Sequence, residues 1–583
     1  MTKRMLDVFA RVVRRASIAT CMALWMAAAG HAAGPRGFIV ELKNAVPHGE
    51  PAREMALQAD RIDAAALQRE RLQRVLSGAG IRAAALRPQG RAAHVLELGR
   101  SLSPAEADAM LARLRASPEV AWAEPNDRER PLQNTTPSDP FFAGTAGQWW
   151  LHPVSGTDEN AIEARLRGVA NLQRAWTFST GSPSVPVAVL DTGITAHPEL
   201  QGMWLPGMDM VSDLEMANDG DGRDADPTDP GDWLTTPELS HDVFSNCEAR
   251  DSSWHGTIVS GMLAARTDNN EGVAAIGWNA RIVPVRVAGK CGAEVADIID
   301  GMRWAGGLWV RDGNFGWLPR NANPVRVINL SFGGNKPCSS AYQSAIDELR
   351  ARGVLVVAAA GNGQGAVTRP ANCNGVVGVA ALNRDGFKAG YSNFGPEVTV
   401  ATVGGDSSGP WLNDGGLLSL FNAGTTEQGD NIYARNFGTS FATPIVAGTV
   451  ALMLSVNPDL SVDQLITGLR KSARPHVRSP WLAACSMDNS ASCLCTEGTC
   501  GAGMLDAEQA LFYARDPNGY VAPARSGDVL DNPELAAAAV TPQASPTPTL
   551  QADGGSGGGA LSAWWLLALA CATLSLRAGS RRA

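Results

Sequence analysis

Short apolar runs separated by helix-period stretches organise the middle of the chain. The run Val187-Ala188-Val189-Leu190-Asp191 is followed by others at about 282–287, 325–330, 354–359 and 376–380, each rich in Val, Ile, Leu and Ala. Continuous apolar runs of this length, alternating with helical segments, predict strands buried on both faces. The expected architecture is α/β, a doubly wound and mainly parallel sheet with helices on both sides. Upstream the pattern changes. Residues 37–43 alternate like a half-buried strand, 53–78 carry a helical period, and 93–99 read as a strand. Ser103 then opens a second helix, with Glu106 completing a capping box, and 120–126 form a last strand ending in a turn. Strand–helix–strand–helix–strand predicts a small α+β domain with an antiparallel sheet.

The two ends read as addresses. Lys3, Arg4, Arg11, Arg14 and Arg15 precede an apolar stretch over 16–29 and the small residues Gly30, Ala32 and Ala33. That is the composition of a secretory signal peptide over 1–33, cleaved after Ala32 or Ala33. At the far end, 561–576 is almost wholly apolar and Arg577, Arg581 and Arg582 come after it. With Ala560 the stretch is long enough to span a thinned bilayer, and the arginines keep its end cytoplasmic, so 560–583 is expected to be a transmembrane or sorting segment. Glycines at 554, 555 and 557–559 stand just before it. Glycines, apolar span and basic end together resemble the bacterial GlyGly-CTERM tail, which implies a membrane sorting protease as a partner; a plain membrane anchor stays open. Residues 516–559, rich in Pro, Ala, Gly and Thr, read as a disordered spacer.

Charge narrows the classes. The 583 residues carry 49 Lys and Arg against 58 Asp and Glu, a net charge of −9 with no long basic cluster, which disfavours a nucleic-acid binder. Charged residues are 18% of the chain, below the usual ~25%, as suits a loop-rich exported protein.

Three blocks carry candidate chemistry. In VLDTGI the apolar run ends on Asp191, placing a carboxylate at the tip of a buried strand. In HGTIVSGMLAA, His255 starts a small-residue helix, and in GTSFATPIVAG, Ser440 stands at a helix N-terminus that aims N–H groups and a dipole at its surroundings. Taken singly, an Asp-Thr-Gly turn, a surface histidine and a capping serine would each be ordinary. In this order they supply an orienting acid, a base and a nucleophile. The blocks resemble the three signatures of the subtilisin-like serine proteases. That resemblance implies a secreted endopeptidase working on protein and peptide substrates, with Asp191, His255 and Ser440 as its triad. Asn362, in the strand-end block VLVVAAAGNG, matches the family's oxyanion-hole asparagine. Ser331, Phe332 and Gly333 would line one wall of the substrate pocket and Ala359, Ala360 and Gly361 the other, their small size suggesting an open pocket. Ile258 departs from the family block, which often has a second histidine there. Residues 34–130 look like the family's inhibitor-like propeptide, an intramolecular inhibitor removed by self-processing, ahead of a catalytic domain over 131–515 expected to be monomeric. A catalytically silent adhesion protein on the same fold, or a protease dedicated to one processing substrate, are the rivals.

Six aspartates fall within residues 218–232. Such a density repels itself unless a hard cation neutralises it, so structural calcium is expected, with Asp219, Asp221, Asp224 and Asp226 as ligands and Arg223 offering its carbonyl. A solvated acidic loop is the alternative. Of the ten cysteines, Cys21 and Cys571 lie in the two ends, leaving an even eight in an exported chain, which points to disulfides. Cys247 would pair with Cys291 and Cys338 with Cys373. Cys485, Cys493, Cys495 and Cys500 would pair among themselves in an order the sequence leaves open, zinc being the weaker reading of their spacing.

Overall fold

The computed structural model describes residues 37–43, 58–89, 93–100, 102, 104–126, 136–143, 147–155, 166–312, 316–407 and 414–531. The expected signal peptide, most of the expected spacer and the C-terminal segment lie outside these residues. The chain divides into two compact units, Met1–Leu132 and Gln133–Ala583.

The first unit is a four-stranded antiparallel sheet in the order β2-β3-β1-β4, formed by β1 (Gly37–Leu42), β2 (Ala85–Gln89), β3 (Ala93–Glu97) and β4 (Val120–Pro125). Helices Gln58–Gly78 and Pro104–Ala116 accompany it. Phe38, Val40, Leu42, Leu72, Leu96, Leu111 and Leu114 share one core, so the alternation read over 37–43 does point one face inward. The sequence pattern missed β2: its residues ALRPQ are mostly exposed and include Pro88. They have no apolar face to betray them, and a proline is tolerated in an edge strand.

The second unit is built on a seven-stranded sheet in the order β11-β10-β9-β8-β5-β7-β6. Its strands are β5 (Val187–Asp191), β6 (Met208–Asp209), β7 (Ile282–Arg286), β8 (Val327–Leu330), β9 (Leu355–Ala359), β10 (Val377–Leu382) and β11 (Val398–Val403), and every pairing is parallel. Period two sorts each strand between two cores. Val187, Val189, Ile282, Val327, Leu355 and Val357 face one layer, which holds the helices His255–Ala264 and Thr439–Val456. Ala188, Leu190, Val283, Val285, Ile328, Val356 and Ala358 face the other, with the helices Val295–Ala305 and Ser340–Arg350. Each fully buried Val, Leu or Ile on these faces contributes roughly 1.5–3 kcal/mol. β5 sits centrally, and the chain winds from it to β7 on one side and to β8 on the other. The crevice at the strands' carboxyl ends at such a switch point is where open α/β sheets bind ligands.

The helix Thr439–Val456 is apolar all round and would pass for a membrane span by composition, yet it is buried in this core. A hairpin of β12 (Leu417–Asn422) and β13 (Asn431–Asn436) stands apart from the main sheet. The ordered unit also runs past its expected limit at 515. Arg478 N–H donates to Asp528 O (2.7 Å), Leu530 N–H donates to Arg478 O (2.8 Å), and Leu530 is buried. Within the expected spacer, the chain around Val529 therefore pairs with Arg478 through one isolated parallel bridge and buries Leu530. Among the described residues four disulfides are present, Cys247–Cys291, Cys338–Cys373, Cys485–Cys493 and Cys495–Cys500, the last two giving the pairing the sequence left open.

Candidate active site

The crevice gathers Asp191, His255, Ser440 and Asn362 from four different elements. Asp191 ends β5 and is 1% exposed. Its Oδ1 lies 2.7 Å from His255 Nδ1 and accepts the Thr192 N–H at 2.9 Å. A carboxylate can only accept, so Nδ1 carries the proton and Nε2 is left as the basic nitrogen. Asp191 Oδ2 is buried with no hydrogen-bond partner among the described residues.

His255 opens its helix directly against the strand tip, and two glycines make the approach feasible. A Cβ on Gly256 would stand 2.1 Å from Gly193 O and 3.1 Å from the Asp191 Cβ. Gly193 itself has φ +104°. The Gly256 N–H donates to Thr192 Oγ1 (3.0 Å), whose hydroxyl donates to the buried Asp229 Oδ2 (2.6 Å). Burial, reinforced by the charge of Asp232, pushes the Asp229 carboxyl up to about 7. The imidazole also touches two rings, Phe332 edge-on with centroids 5.5 Å apart and Phe441 tilted at 5.4 Å. Burial by itself would lower the His255 pKa, but the adjacent Asp191 carboxylate, helped by Asp232, outweighs it and holds the pKa above the ordinary imidazole value. Arg250, paired with Asp232 at 2.7 Å, pulls the other way.

Ser440 occupies the first turn of its helix, half-buried. Pro444 has no N–H, so the Ser440 carbonyl lacks its i+4 donor; Ser331 Oγ donates to it instead (2.7 Å). In return Ser440 Oγ donates to Ser331 O (3.1 Å), so the resting hydroxyl faces this carbonyl. Asn362 presents its Oδ1 to the Thr439 N–H (3.0 Å) and hydroxyl (2.8 Å), which leaves the Nδ2 amide as the uncommitted donor.

β8 and β9 are neighbours, so 331–333 and 359–361 leave the sheet side by side. Thr368 stands beside both glycines. A Cβ on Gly333 would lie 3.0 Å from Thr368 Oγ1 and one on Gly361 2.9 Å from it, so neither position has room for a side chain in that direction. Ser331 and Ala360 are buried, and Ser331 is committed to Ser440. Ile258, standing where the family block often has a second histidine, packs into the main core.

The acidic loop does not form the expected cation cage. Among the described residues no group of three or more His, Cys, Asp or Glu side chains is placed to hold a metal ion. Two of the loop's six aspartates meet arginines, Asp219 with Arg286 and Asp232 with Arg250. Arg286 contacts Asp209 and Asp219. Arg223 bonds Asp297 (2.6 Å) and Asp300 (2.7 Å) with its side chain. Asp224 and Asp226 close local turns onto the N–H groups of Asp226 (2.8 Å) and Thr228 (3.0 Å), and Asp221 N–H does the same onto Asp219 (3.2 Å). Structural calcium is common in subtilases, but these side chains do not converge on one point.

Sequence reasoning missed Thr192, Asp232, Thr368, Asn393, Thr439 and Phe441. Thr192, Thr439 and Phe441 adjoin motif residues and could have been suspected from that; the others reach the site only through the fold.

A parallel sheet with an acid, a histidine and a helix-start serine at its switch point has the layout of a serine hydrolase. Residues 182–503 match the Subtilase family, and the chain belongs to that family. It is 39% identical over 418 residues to an extracellular protease of Xanthomonas campestris, covering 71% of this chain and 63% of that protein. It is 34% identical over 379 residues to an extracellular basic protease of Dichelobacter nodosus, covering 65% and 57% respectively. The chain thus spans about three-fifths of the length of these curated relatives. A solved protease from Pseudoalteromonas arctica shares 41% identity at a TM-score of 0.54, over 65% of this chain and all of that one.

Proposed function

We propose that this chain is a secreted serine endopeptidase that hydrolyses peptide bonds in extracellular proteins through an acyl-enzyme. The observation that carries it is the Asp191–His255 hydrogen bond of 2.7 Å, set beside Ser440 and an anchored Asn362. Ser440 Oγ attacks the carbonyl carbon while His255 Nε2 takes its proton and passes it to the departing amine. Asp191 stays ionised and holds the imidazolium. The oxyanion is met by Asn362 Nδ2 and by the Ser440 N–H, which has no intrahelical acceptor in the first turn. Water then repeats the sequence and frees the acid. The extracellular relatives support export. In this reading the pro-region 34–130 assists folding, acts as an intramolecular inhibitor and is cut off by the enzyme itself, and a membrane sorting protease acts on the tail. A fluorophosphonate probe should label the mature protein at Ser440, and a peptide library should report broad cleavage. Absence of label would favour a silent adhesion role, and a single cleaved motif a dedicated processing enzyme.

The charges around His255 predict a signed pH effect. Only the neutral imidazole is a base, so kcat/KM should fall as pH drops through its raised pKa. Asp232→Asn removes a charge that favours the imidazolium and should move this acid limb to lower pH, whereas Arg250→Gln should move it to higher pH. Shifts of the same sign in both variants would sink this assignment.

A further inference from the structure

The Asn362 side chain is anchored on Thr439, but an oxyanion donor is useful only if the backbone that carries it is also held within a fraction of an ångström. That backbone is fastened by a residue about thirty positions later. Asn393 is buried. Its Nδ2 donates to Ala360 O (3.1 Å), and its Oδ1 accepts the N–H groups of Gly363 (2.9 Å) and Gly365 (2.9 Å). Its own N–H donates to Gly361 O (2.8 Å). One asparagine therefore bonds the chain at 360, 361, 363 and 365, on both flanks of Asn362. The approach depends on Gly361, where a Cβ would stand 2.4 Å from Asn393 Nδ2.

The clamp is itself braced. Gln364 N–H donates to Tyr391 O (3.0 Å) and Phe394 N–H to Gly365 O (2.9 Å). Below it the fully buried Lys388 Nζ donates to the carbonyls of Ala389 (2.8 Å), Gly390 (3.3 Å) and Ser392 (3.0 Å), and the Gly390 N–H donates to Asp406 (3.1 Å). An ammonium spanning three carbonyls fixes the curvature of 389–393 and so the aim of the Asn393 amide.

We propose that Asn393 is a positioning residue for the oxyanion: it touches no reacting atom, but it holds the 360–365 loop so that Asn362 Nδ2 meets the charge that develops in the transition state. The proposal rests on the endopeptidase reading. A buried clamp of purely structural value would lower stability and leave turnover per folded site intact. A positioning residue lowers kcat per active site with little change in KM, because the ground-state carbonyl carries little charge.

The test is a double-mutant cycle with active sites counted by fluorophosphonate titration. Asn393→Ala should lower kcat about tenfold with KM changed less than twofold, and Asn393→Asp, which keeps the acceptor for Gly363 and Gly365 but loses the donor to Ala360, should lie between Ala and the wild type. In the Asn362→Gly background, where the donor is gone, either Asn393 change should cost less than twofold. Equal losses in both backgrounds, or an unchanged kcat, would overturn the proposal. If the alanine variant does not fold, the aspartate variant decides by the same criterion. A wild-type chain that neither takes the probe nor cleaves peptides overturns the endopeptidase reading and this inference with it, whereas a labelled, active wild type with additive Asn393 losses overturns the inference alone.

Discussion

Ser440→Ala should lower kcat by about 10⁶, a scale taken from subtilisin, while leaving the fold and its thermal midpoint nearly unchanged. The hydroxyl makes one hydrogen bond in the resting site, to Ser331 O at 3.1 Å, so removing it disturbs little else. The Ser331 Oγ bond to the Ser440 carbonyl survives, because it uses the backbone that Pro444 leaves free. The attacking atom is what disappears. His255→Ala should cost about as much, and the two losses should not add, since a base without a nucleophile has nothing to deprotonate. The residual rate belongs to binding and the oxyanion donors. The same substitution checks self-processing by mass spectrometry: in Ser440→Ala the region 34–130 should remain covalently joined to the catalytic domain. Additive losses from Ser440 and His255, or cleavage of the pro-region in the alanine variant, would break the link between these residues and the chemistry.

The residues proposed to do the chemistry are legible because each is embedded in a local pattern. Asp191 ends an apolar strand, His255 and Ser440 begin small-residue helices, and local spacing is all those features require. The parallel strands were legible for the same reason, being buried on both faces and therefore apolar throughout. The features that escaped depend on contacts between distant segments. β2 has no apolar face, and the two-residue β6 has no period to read. The acidic loop is the clearest case. Its aspartates are adjacent in sequence, but the groups that answer the loop's charges, Arg286 and the Arg223 partners Asp297 and Asp300, enter from elements about seventy residues away. Counting charges in one window suggests an ion; the fold brings a guanidinium to Asp219 and another to Asp232, which no count within the loop can show. Asn393 gives no local sign at all, since its four bonds to the 360–365 loop exist only once β9 and β10 lie side by side.

Asp191→Asn should lower kcat by about 10⁴ without collapsing the site. The substitution is isosteric, and the oxygen that accepts the Thr192 N–H at 2.9 Å can stay in place. The amide, however, can donate where the carboxylate could only accept. If its NH₂ turns to His255, the ring must present Nδ1 as an acceptor and carry its proton on Nε2, the nitrogen that has to receive the Ser440 proton. If its oxygen stays toward Nδ1, the NH₂ is forced into the position of Oδ2, which is buried and has no hydrogen-bond partner among the described residues. Either way the negative charge that keeps the His255 pKa raised is gone, so burial dominates and the acid limb of kcat/KM should shift to lower pH as the rate falls. These two signatures separate orientation from bulk stability. A variant that only loosened the fold would lose active sites by titration and keep its pH profile. A variant that lost the orienting charge keeps its titratable Ser440 only at slow labelling rates and moves the profile. An Asp191→Asn protein with wild-type turnover per site, or with an unmoved acid limb, would remove Asp191 from the mechanism.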